Sequence, residues 1–367
     1  MNTRTQTSRP WQPPHCPNPH CPFHRQPAAW QFRKAGHYRR LRPPYTVQRY
    51  QCLHCRKSFS RQTFKTTYWL KRPDLLPWIF KLTTNGMANR QIARALGCAP
   101  ATVDHQLARL GRHCLLFHRH LLREASPPDD IVADGLESFE FSQFFPFEHL
   151  IAVEQGTSFI LHFADAPLRR SGRMTPRQKQ RRQELEARLG RPDPRAVEHA
   201  MREVLEVSLA GATTATLRTD KHQAYRRALR HLACEVEHRT TDSRRRRDRH
   251  NEMFEINSLD RFLRHSSANH TRETLAWSKR RQGSSDRLAV FAVWKNCMKQ
   301  RWELGGRSTP AMLKGLLDAP LPVSELLRER LFRTRIELPP RWAAYYDRLI
   351  ETPVLGRNRR HELTYAY

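Results

Sequence analysis

The chain has 367 residues, with 65 Lys or Arg against 35 Asp or Glu, which gives a formal net charge of +30. This length allows two or three compact units, and a hydrophobic share of 38% permits a buried core. No run of apolar residues approaches the roughly 20 that span a bilayer, so we expect no membrane association. The charge predicts a nucleic-acid partner, because basic groups release counterions from phosphates. An anionic membrane surface or merely solvated charge are the alternatives.

The eight cysteines fall into two groups. The first 14 residues lack the apolar core of a secretory signal, so we expect a reducing, cytoplasmic location, where clustered cysteines are more often metal ligands than disulfides. Two close pairs supply four soft donors for one structural Zn²⁺, namely Cys16, Cys21, Cys52 and Cys55. The interval 22–51 suits the hairpin of a zinc ribbon, which we predict over residues 1–70.

Two alternatives stay open for that site. A histidine can replace one cysteine, or the cysteines can pair as disulfides; the candidate histidines are His15, His20, His24 and His54. The remaining cysteines are singletons, and we predict that they are packed thiols: Cys98, Cys114, Cys234 and Cys297.

A helical pattern over residues 71–125 predicts a helix-turn-helix DNA-binding domain. Asn89 suits a helix cap, Gly97 permits a sharp turn, and Pro100 suits the first turn of a second helix. The apolar spacing of that second helix leaves a polar set facing outward, which we predict to contact DNA: Thr102, His105, Gln106 and Arg109. An ordinary helical hairpin is the alternative.

Residues 126–304 read as an α/β domain. Apolar runs at 131–141, 149–155 and 158–165 predict three successive antiparallel strands. A basic, partly helical insertion at 169–195 follows, then a helix at 196–209, a strand at 215–220, a short helix, a strand near Val236, and a helical zone at 251–302. We expect a mixed sheet covered by helices. The tail, 305–367, offers an amphipathic segment at 324–332 and no assigned role.

Three acidic residues are candidate catalytic groups. Asp134 lies within the first strand-like run, Asp220 ends a later strand, and Glu255 begins the helical zone. Carboxylates brought together repel one another unless divalent cations neutralise them, and Mg²⁺ prefers such oxygen ligands. Two ions at such a site activate a nucleophile and stabilise a leaving oxygen in phosphoryl transfer. Four other acids are credible substitutes: Glu137, Glu140, Asp165 and Glu252.

Several segments resemble one known family. Residues 50–60 (YQCLHCRKSFS), 217–225 (LRTDKHQAY) and 254–280 (FEINSLDRFLRHSSANHTRETLAWSKR) are similar to the insertion-sequence-one family of bacterial and archaeal transposases. The resemblance covers residues 16 to about 300. It implies a zinc ribbon, a helix-turn-helix and a ribonuclease-H-like D-D-E catalytic domain. The family's catalytic residues map onto Asp134, Asp220 and Glu255, which would hold two Mg²⁺ or Mn²⁺ ions, and its basic pair maps onto Arg272 and Lys279.

The resemblance implies a transposase that binds the terminal inverted repeats of its element as double-stranded DNA, cleaves, and joins the 3′ ends to target DNA. It also implies a homodimer or higher oligomer and a prokaryotic, nucleoid-associated location. The chain departs from the family in having Gly135 where a second acidic residue is common, two extra residues between the Glu and the Arg, and a long basic insertion. The rival functions are a non-enzymatic DNA-binding regulator derived from a transposase and a structure-selective nuclease.

Overall fold

The computed structural model describes residues 11–41, 43–302 and 306–355. The described residues form two compact units: the first contains those of 11–73 together with Val323–Glu337, and the second contains those of 74–322 together with 338–355. The start of the chain, where we expect no secretory signal, and the end of the tail lie outside the described residues. No described helix combines the length and the apolar character needed to cross a membrane.

The first unit is built on a three-stranded antiparallel sheet. Strands β1 (Phe32–Arg39), β2 (Thr46–Cys52) and β3 (Ser58–Ser60) lie side by side in that order. The β1–β2 hairpin pairs Phe32 with Cys52. Short 3-10 helices lie at Pro22–His24 and Arg61–Phe64. The hairpin predicted between the two cysteine pairs is therefore confirmed.

The core of this unit is small and is completed by the tail. Cysteines and phenylalanines form it: Cys16, Cys21, Cys52, Phe59, Phe64 and Phe332. The Phe332 ring centroid lies 5.7 Å from that of Phe64, and the Thr66 hydroxyl donates to the Leu327 carbonyl at 2.6 Å. The predicted amphipathic segment 324–332 is helical only at Val323–Leu326, and a 3-10 turn follows at Arg333–Arg335. The apolar residues of this segment therefore contribute by packing into the core of the first unit, and not as one face of a long helix.

The second unit begins with three helices, α1 (Leu76–Thr84), α2 (Asn89–Ala95) and α3 (Pro100–Leu121). Gly97 makes the turn between α2 and α3 with a φ of +57°, a left-handed conformation that favours glycine. The predicted pair of helices is confirmed. However, α3 has 22 residues and is buried along most of its length against a later helix, Arg281–Cys297. Residues 71–125 and most of the α/β region therefore lie in one compact unit.

The sheet of the second unit contains five strands. They are β4 (Asp130–Phe139), β5 (Pro146–Glu154), β6 (Ile160–Pro167), β7 (Thr214–Asp220) and β8 (Glu235–Thr241). Their spatial order is β6-β5-β4-β7-β8. Strands β4, β5 and β6 are antiparallel to one another in sequence order, while β7 runs parallel to β4 and β8 runs parallel to β7. The predicted antiparallel block and the mixed sheet are confirmed, and β4 lies at the centre.

Helices surround this sheet. The described set continues with α4 (Pro176–Leu189), α5 (Ala196–Ser208), α6 (Gln223–Leu229), α7 (Phe254–Ser266) and α8 (Arg281–Cys297), followed by short helices at Pro310–Leu313 and Pro340–Tyr346. Helix α4 lies in the basic insertion, as predicted. Helix α5 packs on β5 and β6, and α7 packs on β4 and β5. The predicted helical zone at 251–302 is interrupted, because residues 267–280 form turns.

Helices α3 and α8 approach closely where their sequences allow it. A Cβ at Gly111 would lie 2.8 Å from the Cα of Asp286, so a glycine on α3 is needed at this crossing. Asp286 itself is buried and pairs with Arg348 at 2.9 Å. The close approach at Gly111 packs α3 directly on the backbone of α8.

Candidate functional site

The four clustered cysteines converge in the first unit. The ligand atoms of Cys16, Cys21, Cys52 and Cys55 all lie within 4.8 Å of one another. The Sγ atoms of Cys16 and Cys55 are 3.6 Å apart, which is far longer than a disulfide bond. Four thiols at this separation are a donor set that fits one tetrahedral Zn²⁺. In the part of the chain that the structure describes, this is the one group of histidine, cysteine and acidic side chains that meets the 4.8 Å distance.

Local hydrogen bonds favour the thiolate form of Cys52, whereas burial raises the pKa of the Cys16 and Cys21 thiols. Burial favours a neutral Cys52 thiol, but the backbone N–H groups of Cys55 and His54 and the indole of Trp30 outweigh it and lower the pKa of Cys52 to about 7. The Trp30 Nε1 donates to the Cys52 Sγ at 3.2 Å. Since thiolates are the form that binds zinc, donors aimed at a sulfur favour the liganded state.

Two of the alternative histidine ligands have other partners. His24 bonds the Cys16 carbonyl through Nδ1 and the Thr334 hydroxyl through Nε2, both at 2.7 Å. His15 bonds the Cys16 carbonyl at 2.9 Å. These rings support the backbone of a cysteine ligand instead of replacing it. Of the singleton cysteines, Cys114 and Cys297 are buried as predicted, whereas Cys98 and Cys234 are only half-buried.

A second site forms where Asp134 and Asp220 meet on neighbouring parallel strands. Strands β4 and β7 pair Asp130 with Thr216 and Val132 with Arg218. Two residues further in the same register, Asp134 comes level with Asp220. Both line one small cavity together with Arg247. The central strand and the carboxyl end of β7 therefore bring these two predicted carboxylates together.

Asp134 acts on two further acidic side chains, Glu148 and Asp260. Burial, with the charge of Asp220, raises the pKa of Asp134 to about 6. Burial and the negative charge of Asp134 raise the pKa of Glu148, on β5, to about 7 and that of Asp260, on α7, to about 8. Each carboxylate disfavours ionisation of its neighbours, as expected for acids that share a site. A divalent cation would reverse this penalty.

The surroundings of these acids suit a cation and a phosphate. The Gly135 N–H donates to the Asp134 Oδ1 at 2.8 Å, and Tyr225 also hydrogen-bonds Asp134. The positive charge of Arg247 partly opposes the rise in the pKa of both Asp134 and Asp260. The Oδ1 of Asp260 is buried and has no hydrogen-bond partner among the described residues. The site therefore offers hard oxygen donors, one of them buried and unpaired, which are the ligands that Mg²⁺ prefers. These oxygens are spaced more widely than the sulfur atoms of the four cysteines.

Gly135 has a steric explanation in this site. A Cβ at this position would overlap the Glu148 carboxylate, which occupies the adjacent space on β5. The resemblance places an acidic residue directly after the first Asp in many family members. Here the Glu148 carboxylate of the neighbouring strand lies beside this position, and a side chain at residue 135 would require that carboxylate to move.

The structure does not bring Glu255 to this site. Its carboxylate accepts a hydrogen bond from Ser158 and pairs with Arg301 at 2.5 Å. Ser158 follows the end of β5 at Glu154, whereas Asp134 lies opposite Ile151. The distance along β5 from Ile151 to Glu154 is three residues, or roughly 10 Å at about 3.3 Å per residue. The expected convergence of Glu255 with Asp134 and Asp220 is therefore not seen, because Arg301 and Ser158 hold Glu255 at the other end of the strands.

Two of the four predicted DNA contacts in the helix-turn-helix face inward. His105 is exposed and Thr102 is half-buried, but Gln106 and Arg109 are only 3% and 4% exposed. The prediction that Gln106 and Arg109 face outward is wrong. Apolar periodicity indicated one covered face, whereas α3 is covered on several sides by α1, α2 and α8.

The predicted basic residues lie on loops. Arg272 and Lys279 are exposed within the turns that separate α7 from α8, so they do not share a helical face as expected. The Lys279 Nζ lies 3.6 Å from the centroid of the Trp277 ring. The sequence also has four consecutive arginines at 244–247, and two of them, Arg245 and Arg247, line the cavity of Asp134 and Asp220. Part of that run is therefore next to the acidic site.

The acids weighed as substitutes have other partners. Asp165 pairs with Arg341 at 2.6 Å, Glu140 accepts from Thr352 at 2.7 Å, and Glu252 pairs with Arg218 at 3.1 Å. Glu137 is exposed and lies opposite Glu148 in the register of β4 and β5. Glu148 and Asp260, which do approach Asp134, were not predicted.

One sequence feature would have identified Asp260. Asn257 and Asp260 are three residues apart on α7 and therefore lie on one face of that helix. Asn257 lines the cavity of Asp134 and Asp220. A polar pair at this spacing, within an otherwise apolar inner face, differs from the pattern of a solvated helix. Glu148 offered no such feature, since only strand pairing brings it beside Gly135.

The comparisons with known proteins give weak structural matches. No protein-family model matches the chain, and no curated protein matches it. Among solved structures, it is similar to a chain of a simian T-cell lymphotropic virus intasome in complex with PP2A regulatory subunit B56 gamma, with 12% identity, 65% of this chain and 74% of that chain covered, and a TM-score of 0.25. It is also similar to the catalytic domain of Mos1 mariner transposase, with 14% identity, 38% and 63% covered, and a TM-score of 0.16. At TM-scores this low, neither match assigns a fold or a function.

Proposed function

We propose that this protein is a DNA transposase whose second unit is a ribonuclease-H-like domain for metal-dependent phosphoryl transfer. The observation that carries the proposal is that Asp134, on the central strand, and Asp220, on its parallel neighbour, line one cavity with Arg247, while the charges of Asp134 and Arg247 act on Asp260 of the covering helix. Asp260 takes the third acidic position in this proposal. Glu255 instead positions the start of α7 through its pair with Arg301.

The chemistry follows from the charges around the site. Divalent cations held there would activate the attacking oxygen and stabilise the leaving oxygen of a phosphodiester. Asp134 and Asp220 supply carboxylate oxygens from rigid strands, and Tyr225 keeps Asp134 oriented through its hydrogen bond. Arg245 and Arg247 line the same cavity and are placed to bind the phosphates on either side of the reacting bond. Glu148 adds negative charge that strengthens cation binding.

DNA recognition is assigned to the first unit and to the exposed start of α3. The zinc ribbon presents Arg and Lys side chains, and we assign contacts in a DNA groove to His105, which is exposed, and Thr102, which is half-buried. Arg272 and Lys279, on exposed turns, are proposed to contact phosphates. We propose a homodimer or larger assembly, since the two ends of an element must be processed together.

The decisive test compares the wild-type chain with Asp220→Asn on DNA that carries the element's own inverted repeats. We expect Asp220→Asn to abolish Mg²⁺-dependent cleavage and joining while leaving binding of the repeats nearly unchanged. Asp193→Asn is the matched control and should cleave like the wild type, because Asp193 is an exposed carboxylate of the same unit that pairs with His199 and does not line the cavity. Equal cleavage by wild type and Asp220→Asn would remove the enzyme proposal. Specific binding without any cleavage would instead support a DNA-binding regulator.

A further inference from the structure

The first unit carries an unusual charge distribution. The first 73 residues contain 15 Lys or Arg and no Asp or Glu. Lys65 shows the effect, because partial burial and the nearby charges of Arg61 and Arg40 lower its pKa. The tail segment of the unit brings Glu325, Glu329 and Glu337, but it adds four arginines as well. A surface of this kind favours an anionic partner.

Beside the sheet of this unit lies a cavity of about 480 Å³, here called the ribbon pocket. Its lining combines aromatic rings, arginines and hydroxyls, including Tyr38, Arg40, Arg49, Ser60, Tyr68 and Trp69. The volume lies within the range of roughly 300–1,000 Å³ that is typical of small-ligand pockets. No carboxylate is found among its lining residues in the described chain.

The rings of the ribbon pocket are arranged to accept a flat group. Tyr68 and Trp69 meet edge to face, with centroids 5.9 Å apart and planes at 74°. Trp69 is 63% exposed. The Arg49 guanidinium lies 5.9 Å from the centroid of the Tyr38 ring. Aromatic faces beside guanidinium groups are the combination that binds nucleobases together with their phosphates.

Trp69 is also held in a conformation that costs energy. Its φ is +61°, in the left-handed region that residues other than glycine rarely adopt. A large apolar side chain that is both exposed and held in strained backbone is typical of a ligand contact more than of a packing role.

We propose that the ribbon pocket binds an unpaired nucleotide of single-stranded DNA. The base stacks on the face of Trp69 and meets the Tyr68 ring edge to face, and the flanking phosphates lie on Arg40 and Arg49. A base inside a duplex is stacked on both faces and cannot enter a cavity, so the occupant must be unpaired. This binding goes beyond the proposed function, which concerns double-stranded repeats.

The test is fluorescence anisotropy with the full-length, zinc-loaded protein, at physiological ionic strength and without added Mg²⁺. The probes are a short oligothymidylate, an abasic oligomer of the same length, and a duplex of the same length. We expect the oligothymidylate to bind about ten-fold more tightly than the abasic oligomer, as base–aromatic stacking predicts. Trp69→Ala should remove that difference, and Trp69→Phe should keep most of it. Trp78→Ala is the matched control, because Trp78 is 54% exposed on α1.

Three results would overturn the proposal. The first is equal affinity for the thymidylate and abasic oligomers, which would indicate binding through phosphates alone. The second is equal loss in Trp69→Ala and Trp69→Phe, which would indicate a structural role. The third is a duplex affinity with the same dependence on Trp69. None of these measurements involves cleavage, so the outcome is independent of the test on Asp220.

Discussion

His118 provides a quantitative prediction about stability against acid. It lies on α3, is 3% exposed, and packs edge-on against Phe159 and Trp342, with ring centroids 5.6 Å and 5.1 Å away. Burial, together with the nearby His162, lowers the pKa of His118 to about 3 from an ordinary value of 6.5. The folded protein therefore keeps this ring neutral at pH values where the unfolded chain is protonated.

The sign of the effect follows from proton binding. Between about pH 3 and 6.5 the folded state binds fewer protons at His118 than the unfolded state does. The free energy of unfolding therefore has its full value above pH 6.5 and decreases as the pH falls below it. Each pH unit below 6.5 costs about 1.4 kcal/mol, so the penalty at pH 5 is about 2 kcal/mol. Replacing His118 with Phe removes the titrating group and keeps an aromatic ring between its aromatic neighbours.

The assay is urea unfolding of His118→Phe and wild type at pH 7 and pH 5. We expect the free energies of unfolding to be similar at pH 7, and the variant to be more stable by about 2 kcal/mol at pH 5. His199→Phe is the control, since the His199 side chain is 60% exposed and should not change the pH dependence in this way. If His118→Phe and wild type lose stability in parallel between pH 7 and pH 5, the reasoning is refuted.

Three further predictions concern metals and the core. Cys52→Ser should lower the zinc content from about one ion per chain, measured by elemental analysis, and an unchanged content would rule out the ribbon site. Asp260→Asn should abolish the rise in melting temperature caused by Mn²⁺, whereas Glu255→Gln should keep it; the reverse would return the third acidic position to Glu255. Arg341→Met should destabilise the protein by about 2–3 kcal/mol in urea unfolding, because buried Asp165 loses its charge-assisted hydrogen bonds to Arg341 and keeps only Arg281 as a charged partner. A loss below about 1 kcal/mol, the value of a surface pair, would contradict this.

The acidic site and the stability of the fold are connected. Asp134, Glu148 and Asp260 each have a raised pKa, chiefly because they are buried and also because they repel one another. A cluster of this kind opposes folding until protons or cations neutralise it. Asp165, by contrast, is buried with two arginines and keeps a pKa of about 2. The acids around Asp134 are buried and not neutralised, as expected for a candidate binding site. Asp165 is buried and neutralised, as expected for a structural ion pair.

Local patterns were sufficient wherever the interaction is local. The spacing of Cys16 and Cys21 and of Cys52 and Cys55 predicted two knuckles joined by a hairpin, because short turns restrict where each pair can point. The alternation of apolar residues predicted the antiparallel strands of the second unit, because side chains alternate across a sheet. Asp134 and Asp220 were predicted from the same features, each on an apolar strand.

Contacts between distant segments were decided only by the tertiary structure. Gln106 and Arg109 are buried because α8, which lies far along the chain, covers α3. Glu255 and Asp260 lie on the same helix, and five residues turn a helix by roughly 140° beyond one full turn, so the two acids point in different directions. Arg301, 46 residues after Glu255 in the chain, pairs with Glu255. Asp260, on a different side of the helix, lies toward Asp134. The sequence by itself determined which acids and cysteines are available, and packing between segments determined which of them meet.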